Sequence, residues 1–267
     1  MDLSRLVEAV EQIRATSKKS EKTRVLADTL RATHGHETVL AGLYLSGSLP
    51  QGKIGIGWNR IQQSLQEGPA AGEPLTLGDV DKALNRLAAE RGTGSTERRL
   101  AELRTLFHRA RPDERRFLSQ LLIGEIRQGA LEGMLLDAIA QASTLPPADV
   151  RQAFMFAPNL GELAHAALTE GAAGLSRYSL RLFDPVAPML AASAEDIDAA
   201  LDRLHCAAFE YKLDGARIQV HKRGQDVRLF TRQLQDVTER LPEFVEWARG
   251  LPLREAVLDG EGIPLRP

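Results

Sequence analysis

The feature that most constrains this chain is a change of hydrophobic period along its length. Over the first 180 residues apolar side chains recur at three- and four-residue steps, as in Leu3, Leu6, Val7, Val10 and Ile13, then Val25, Leu26 and Leu30. Helical spacing continues in VDKALNRLAAE, STERRLAELRTLFHRA, PADVRQAFMFA and LGELAHAALTEG, and through one long run from Asp113 to Ala142. From Phe209 the period drops to two: Phe209, Tyr211 and Leu213, then Ile218 and Val220, predict strand, turn and strand. Gly224 marks a hairpin turn into the alternating run DVRLFTR, VTERLPEFVEWARGL returns to helical spacing, and EAVLDGEGIPL reads as a strand leading into an acidic turn. The expectation is a helical domain over 1–180, a connector over 181–190 and an α+β domain over 191–267. Pro185 and Pro188 bar a helix from the connector, and Leu182, Phe183, Val186, Met189 and Leu190 give it apolar groups to dock.

Charge narrows the function classes. Thirty-four Lys and Arg against 36 Asp and Glu give a net charge of -2, so nothing pulls the whole chain toward nucleic acid and any such binding must be local. No apolar run reaches the ~18 residues of a membrane span, and MDLSRLVEAVEQIR lacks a signal-peptide core, which predicts a cytoplasmic protein with no membrane partner. Cys206, the single cysteine, reads as a small buried thiol, and Trp58 and Trp247 read as core. His34, His36 and Glu37 lie in a presumed inter-helix turn without a partner cluster, so they are not read as a metal site.

Chemistry concentrates at Lys212-Leu213-Asp214-Gly215-Ala216-Arg217. A lysine at a strand exit can attack a phosphoanhydride once its amine is neutral, which requires neighbouring cations or desolvation. An arginine returning on the next strand can bind phosphate or ribose oxygens, and a glycine lets backbone approach a nucleotide. Glu210 through Arg217 resembles the first signature of the covalent nucleotidyltransferases, the superfamily of ATP-dependent DNA ligases, RNA ligases and messenger-RNA capping enzymes. Leu229-Phe230-Thr231-Arg232 resembles the second motif and Leu258-Asp259-Gly260-Glu261 the third, in the family's order and spacing.

The resemblance implies an antiparallel-sheet nucleotidyltransferase domain of ATP-grasp-like ligase type, with Lys212 as the residue that carries AMP. It further implies that Glu210 recognises the adenine side, Arg217 and Arg232 contact ribose and phosphate, Glu261 holds the ribose or helps place a magnesium ion, and Asp214 orients the lysine. ATP as AMP donor and Mg2+ follow from the same likeness.

The preceding helices favour the larger ATP-dependent DNA ligases over RNA ligases and capping enzymes. ATSKKSEKTRVLADTLR, YLSGSLPQGKIGIGW and LLIGEIRQGALEGMLLDAIAQA are similar to their DNA-binding domain, and DPVAPMLA precedes the catalytic module. The implied partner is nicked duplex DNA, gripped by its backbone by a monomeric enzyme of replication, repair and recombination. Candidate phosphate contacts are Arg127 between Gly124 and Gly129, Lys53 among glycines, the Ser95 loop, and Lys18 and Lys22 in a basic run. The chain ends at Pro267, before the family's fourth and fifth motifs and its OB-fold domain, so the resemblance implies a piece that neither seals nicks nor adenylates itself alone. Two alternatives stay open: a non-catalytic duplex- or nick-binding module, and an RNA ligase or capping-type enzyme.

Overall fold

The computed structural model describes residues 1–65, 72–124, 132–186 and 193–263, and divides into two compact units, Met1–Tyr178 and Ser179–Pro267. In the first, helices α1 (Leu3–Ala15), α2 (Lys19–Arg31), α3 (His36–Leu45), α4 (Trp58–Ser64), α5 (Leu77–Ala89) and α6 (Ser95–Arg109) are followed by α7 (Pro112–Ile123), α8 (Glu132–Ser143), α9 (Pro147–Phe154) and α10 (Leu160–Leu175). Their apolar stripes merge into one core that includes Leu6, Leu26, Tyr44, Leu84, Phe107 and Ile139.

Helix α3 is one that the sequence hides. It is apolar on all sides, and eight of its residues, Thr38 to Leu45, are buried, so no amphipathic rhythm announces it. His36, expected in a turn, is its first residue. The short α4 was also not expected; Ile61 and Ser64 take its buried side and leave Trp58 53% exposed, which corrects the core reading of that tryptophan. The long run from Asp113 is not one helix, because Gly124 takes a left-handed conformation (φ 73°) and caps α7. Arg127 and Gly129 fall outside the described residues, as do Pro188, Met189 and Leu190.

Two backbones meet where α3 crosses α10. A Cβ on Gly42 would lie 2.8 Å from the Cα of Gly161, and a Cβ on Gly161 would overlap the Val39 carbonyl. Nearby, the α8 carboxyl end is held by Arg31 of α2, whose guanidinium donates to the carbonyls of Gln141 (2.6 Å) and Ala142 (3.3 Å).

The second unit contains α11 (Ile197–Leu204), β1 (Ala216–Arg223), β2 (Asp226–Thr231), α12 (Pro242–Gly250) and β3 (Glu255–Gly262). The strands form an antiparallel sheet in the order β2-β1-β3. One face carries Ile218, Val220, Val227 and Leu229 against Val245 and Ala248 of α12. Lys222, 3% exposed, points the same way and donates to the carbonyls of Ala248, Arg249 and Leu251 at 2.7–2.8 Å, so its charge is spent on the α12 carboxyl end.

The strand expected over Phe209–Leu213 is not formed: residues 207–214 have no regular structure and pair with no strand among the described residues. Alternation alone does not make a strand without a partner edge and a face to cover, and Phe209, Tyr211 and Leu213 are 72, 95 and 54% exposed. Cys206 shares this setting and is exposed, contrary to the buried thiol expected, because α11 before it buries no residue. Trp247 is likewise no core residue, being 54% exposed beside the sheet.

The α3–α10 approach yields a stability prediction. Gly161→Ala should destabilise the chain by about 1–3 kcal/mol or more, because its methyl group can be housed only by separating two backbones. A urea midpoint equal to that of the parent chain would contradict this packing.

Candidate functional site

Antiparallel pairing determines which parts of the three motifs meet. The start of β1, the end of β2 and the end of β3 lie at one end of the sheet, since Ala216 pairs with Gly262, Arg217 with Glu261, and Ile218 with both Gly260 and Thr231. The topology therefore gathers the Lys212–Arg217 segment, Arg232 and Glu261, which are dispersed in sequence.

Gly215 makes the tightest contact. A Cβ there would overlap the Gly262 carbonyl oxygen and lie 3.1 Å from Cγ of Glu261. The chain leaving the lysine segment thus runs directly against the end of β3, a path only glycine allows.

Arg217 projects from the face opposite α12. It donates to Asp259 in a two-pronged fork, Nε to Oδ1 at 2.9 Å and Nη2 to Oδ2 at 2.5 Å. The hydrogen bond it donates to Asp259, outweighing partial burial and reinforced by the charges of Asp259 and Glu261, holds the guanidinium above its ordinary value. Its Nη1 makes no hydrogen bond among the described residues. The sequence marks Asp259 only as part of the third motif and gives it no role of its own. The D-G-E run closes β3 as expected, and strand register puts Asp259 across from Gln219, one step from Arg217 on the same face.

Arg232 is exposed in the turn that closes β2. The turn is held by Thr231, whose N–H donates to the Gln235 carbonyl at 3.0 Å and whose carbonyl accepts from Leu234 at 2.9 Å. Glu261 is exposed opposite Arg217. Lys212, Glu210 and Asp214 are exposed as well, and none of the three has a hydrogen bond or ion pair among the described residues. The expected support of Lys212 by Asp214 is therefore not formed in this arrangement, nor is Lys212 sheltered from water.

On the α12 face a groove of about 410 Å³ is lined by Ile218, Val220, Phe244, Trp247 and Leu258, and reaches Glu261 and Gly262 at its rim. Its walls are mostly apolar, and its charged lining, Glu243, Asp259 and Glu261, is acidic and would repel a phosphate. Among the described residues no three His, Cys, Asp or Glu side chains group as metal ligands.

In the helical unit, Lys53 is exposed in a loop shaped by Gly52 (φ 65°) and Gly55 (φ 72°), and the Ile54 carbonyl accepts from the Arg99 guanidinium. Ser95 opens α6 behind the left-handed Gly94. Lys18 precedes α2, and Lys22 lies in its first turn. Their basic neighbours have internal partners: Arg14 donates to Glu11 and Gln120, Lys19 pairs with Asp137 at 3.2 Å, and Arg24 with Asp28 at 3.3 Å. No described helix is long and apolar enough to cross a membrane.

Comparison with known proteins places both units in the same context. Residues 58–140 match the family described as DNA ligase N terminus, and residues 188–266 match the ATP dependent DNA ligase domain. A probable DNA ligase of Anaeromyxobacter sp. (strain Fw109-5) is 49% identical over 267 residues, covering 100% of this chain and 51% of that protein. The corresponding protein of Sorangium cellulosum (strain So ce56) is 44% identical, covering 100% and 50%. The chain thus spans about half the length of the curated relatives it matches. A solved chain named Pmar-Lig_PreS3 shares the fold with a TM-score of 0.51 at 18% identity, over 96% of this chain and 49% of that one.

The Gly215 contact can be tested directly. Gly215→Ala should lower the stability of the second unit by about 1–3 kcal/mol and speed amide exchange at the Arg217–Gly262 end of the sheet. Unchanged exchange there would mean that the lysine segment does not run against β3.

Proposed function

We propose, on the premise that the chain belongs to the ATP-dependent DNA ligase family, that it is the amino-terminal part of an enzyme that seals nicks in duplex DNA through a lysine–AMP intermediate. The helical unit is then the DNA-binding domain, and the sheet with α12 is the beginning of the adenylation domain. One observation carries the reading: the three motifs converge on a single end of one sheet, with Gly215 against Gly262 and Arg217 opposite Glu261.

In this reading the neutral Lys212 amine attacks the α-phosphorus of ATP. A P–N bond forms, the bond to the bridging oxygen breaks, pyrophosphate leaves, and the amine gives up its proton. An oxygen of the 5′-phosphate at the nick next displaces Lys212 from phosphorus, restoring the amine. Attack by the 3′-hydroxyl on that phosphate then expels AMP and closes the phosphodiester.

Arg217 suits the phosphate and ribose oxygens because Asp259 fixes its guanidinium plane while Nη1 stays unspent. Arg232, on its tight turn, supplies a second cation, and Glu261 an acceptor for ribose hydroxyls. Glu210 stands two residues before the nucleophile, where it serves the adenine side, and Asp214 orients Lys212 once nucleotide is bound. A single exposed carboxylate does not make a metal cage. It fits Mg2+, which uses one or two carboxylates together with the substrate's phosphates, and Glu261 is the residue that would help hold it there. Bound magnesium would neutralise charge on the triphosphate and on the departing pyrophosphate.

The helical unit would grip phosphates without reading bases, using glycine loops and scattered cations such as Lys53, Lys18, Lys22 and Arg127. A nick can lie in any sequence, so such binding suits the substrate. The protein is proposed to act as a monomer in the cytoplasm.

The test uses the whole protein with α-labelled ATP and magnesium. Label should appear on Lys212, located by mass spectrometry, and Lys212→Ala should remove it by at least about a thousandfold. Arg217→Ala should lower labelling by roughly a hundredfold, the scale of losing one transition-state donor. Residues 1–267 alone, with Lys212 standing in water, should take no label. Duplex binding with no label in the whole protein would instead favour a non-catalytic binding module, and preference for nicked RNA would favour an RNA ligase.

A further inference from the structure

Residues 182–186 lie on the same sheet face as Arg217, beside the motif cluster and outside the chemistry proposed for it. Three contacts fasten this segment. The Phe183 N–H donates to Nδ1 of His221 at 2.9 Å, the Val186 N–H donates to Oε1 of Gln219 at 2.8 Å, and Nε2 of Gln219 donates back to the Val186 carbonyl at 3.0 Å. Nε2 of His221 is 2.8 Å from the same Gln219 oxygen, so one side-chain pair grips the segment at both ends. The Phe183 ring lies under the guanidinium groups of Arg223 and Arg228, each 5.6 Å from its centre. Phe183 also adopts φ 71°, a left-handed conformation that a residue with a bulky side chain keeps only when its surroundings hold it.

The hydrogen-bond pattern fixes the state of the imidazole. Nδ1 accepts an N–H, so it carries no proton, and the ring proton resides on Nε2, where it meets the Gln219 oxygen. A second proton could go only to Nδ1, where it would face the Phe183 N–H head on. His221 is fully buried and stacks edge-on against Phe230 at 5.1 Å, so the ring cannot rotate to another partner without leaving its site.

We propose that residues 182–186 form a pH-sensitive latch, closed while His221 is neutral and released when its Nδ1 takes a proton. Release uncovers Gln219, the cross-strand neighbour of Asp259.

The charged groups around the ring divide by sign. Asp184 on the segment favours the imidazolium, while the positive groups nearby are Arg228 of β2, across from His221 in register, and Arg223 of β1, both over the Phe183 ring. Arg223 is partly neutralised by Glu255 of β3 at 3.0 Å, and Asp259 of β3 is taken up by Arg217. Helix α12 packs on the opposite face. Burial dominates and lowers the affinity of His221 for its proton below the ordinary value, with Asp184 opposing. The sign follows: the released ring binds a proton more readily than the latched one. The latch is therefore at full strength above the ordinary histidine value of about 6.5 and weakens as pH falls from there toward the lowered one.

Amide exchange read by NMR on the 1–267 chain, with the imidazole nitrogens observed directly, tests this. At about pH 7.5 the His221 proton should reside on Nε2. Between about pH 7 and pH 5 the protection factors of Phe183 and Val186, corrected for intrinsic exchange, should fall together by up to roughly tenfold per unit, while Leu229 stays protected. His221→Asn, which keeps an acceptor near the Nδ1 position and cannot titrate, should make both protection factors independent of pH. A proton on Nδ1 at neutral pH, protection at Phe183 that ignores the His221 titration, or unaltered pH dependence in His221→Asn would each overturn the latch.

Discussion

The approach of Gly215 to the end of β3 is the contact on which the proposed site depends. Residues 207–214 have no strand partner among the described residues and bury none of their large apolar side chains, so nothing in that segment fixes where Lys212 stands. What fixes it is the point where the chain enters the sheet. Because Gly215 brings no side chain, backbone can lie against the Gly262 carbonyl, and the segment carrying the lysine enters the sheet where Arg217 faces Glu261. A larger residue would separate the motifs that the proposed chemistry brings to one nucleotide.

The sheet around this contact sorts its cations by alternation. Lys222 and Arg217 differ by five positions on β1 and therefore face opposite ways. Lys222 is buried and fully engaged by three carbonyls of the α12 end, so it is a structural charge. Arg217 is exposed and engaged on one edge only, which leaves a preset donor for an anion. The same alternation puts Gln219 and His221 on the Arg217 face, where they fasten residues 182–186. One strand thus serves the core, the proposed ligand and the connector.

Much of this was legible in sequence because it depends on local pattern. Leu6, Val10 and Ile13 gave helix α1, and alternation through Ile218 and Val220 gave β1, since burial of one face imposes those periods. Helix α3 was missed because a helix buried all round has no rhythm to find. The strand over Phe209–Leu213 was expected because alternation was present, yet pairing is a property of two segments, and one period cannot report whether the other is there. The Lys212, Arg232 and Glu261 motifs could be read, but not the role of Asp259, whose partner is 42 residues away and is set by register. Phe183 and His221 belong to the same class: nothing in either local sequence points to the other.

Charge placement in the helical unit bears on how duplex binding could work in a chain of net charge -2. Many of its arginines already have carboxylate or carbonyl partners: Arg86 holds Glu102, Arg98 holds Glu90 and two carbonyls, Arg109 holds Asp79, and Arg31 caps α8. Drawing these onto phosphates would cost internal contacts and leave their acids facing DNA. The cations freer to act lie at helix starts and glycine loops, Lys18, Lys22 and Lys53, where backbone N–H groups are also available. A surface of that kind releases few counterions per contact, so its grip would rest on amide geometry as much as on charge and would weaken only gradually with salt. Such binding is indifferent to base sequence, as the proposed nick-sealing activity requires.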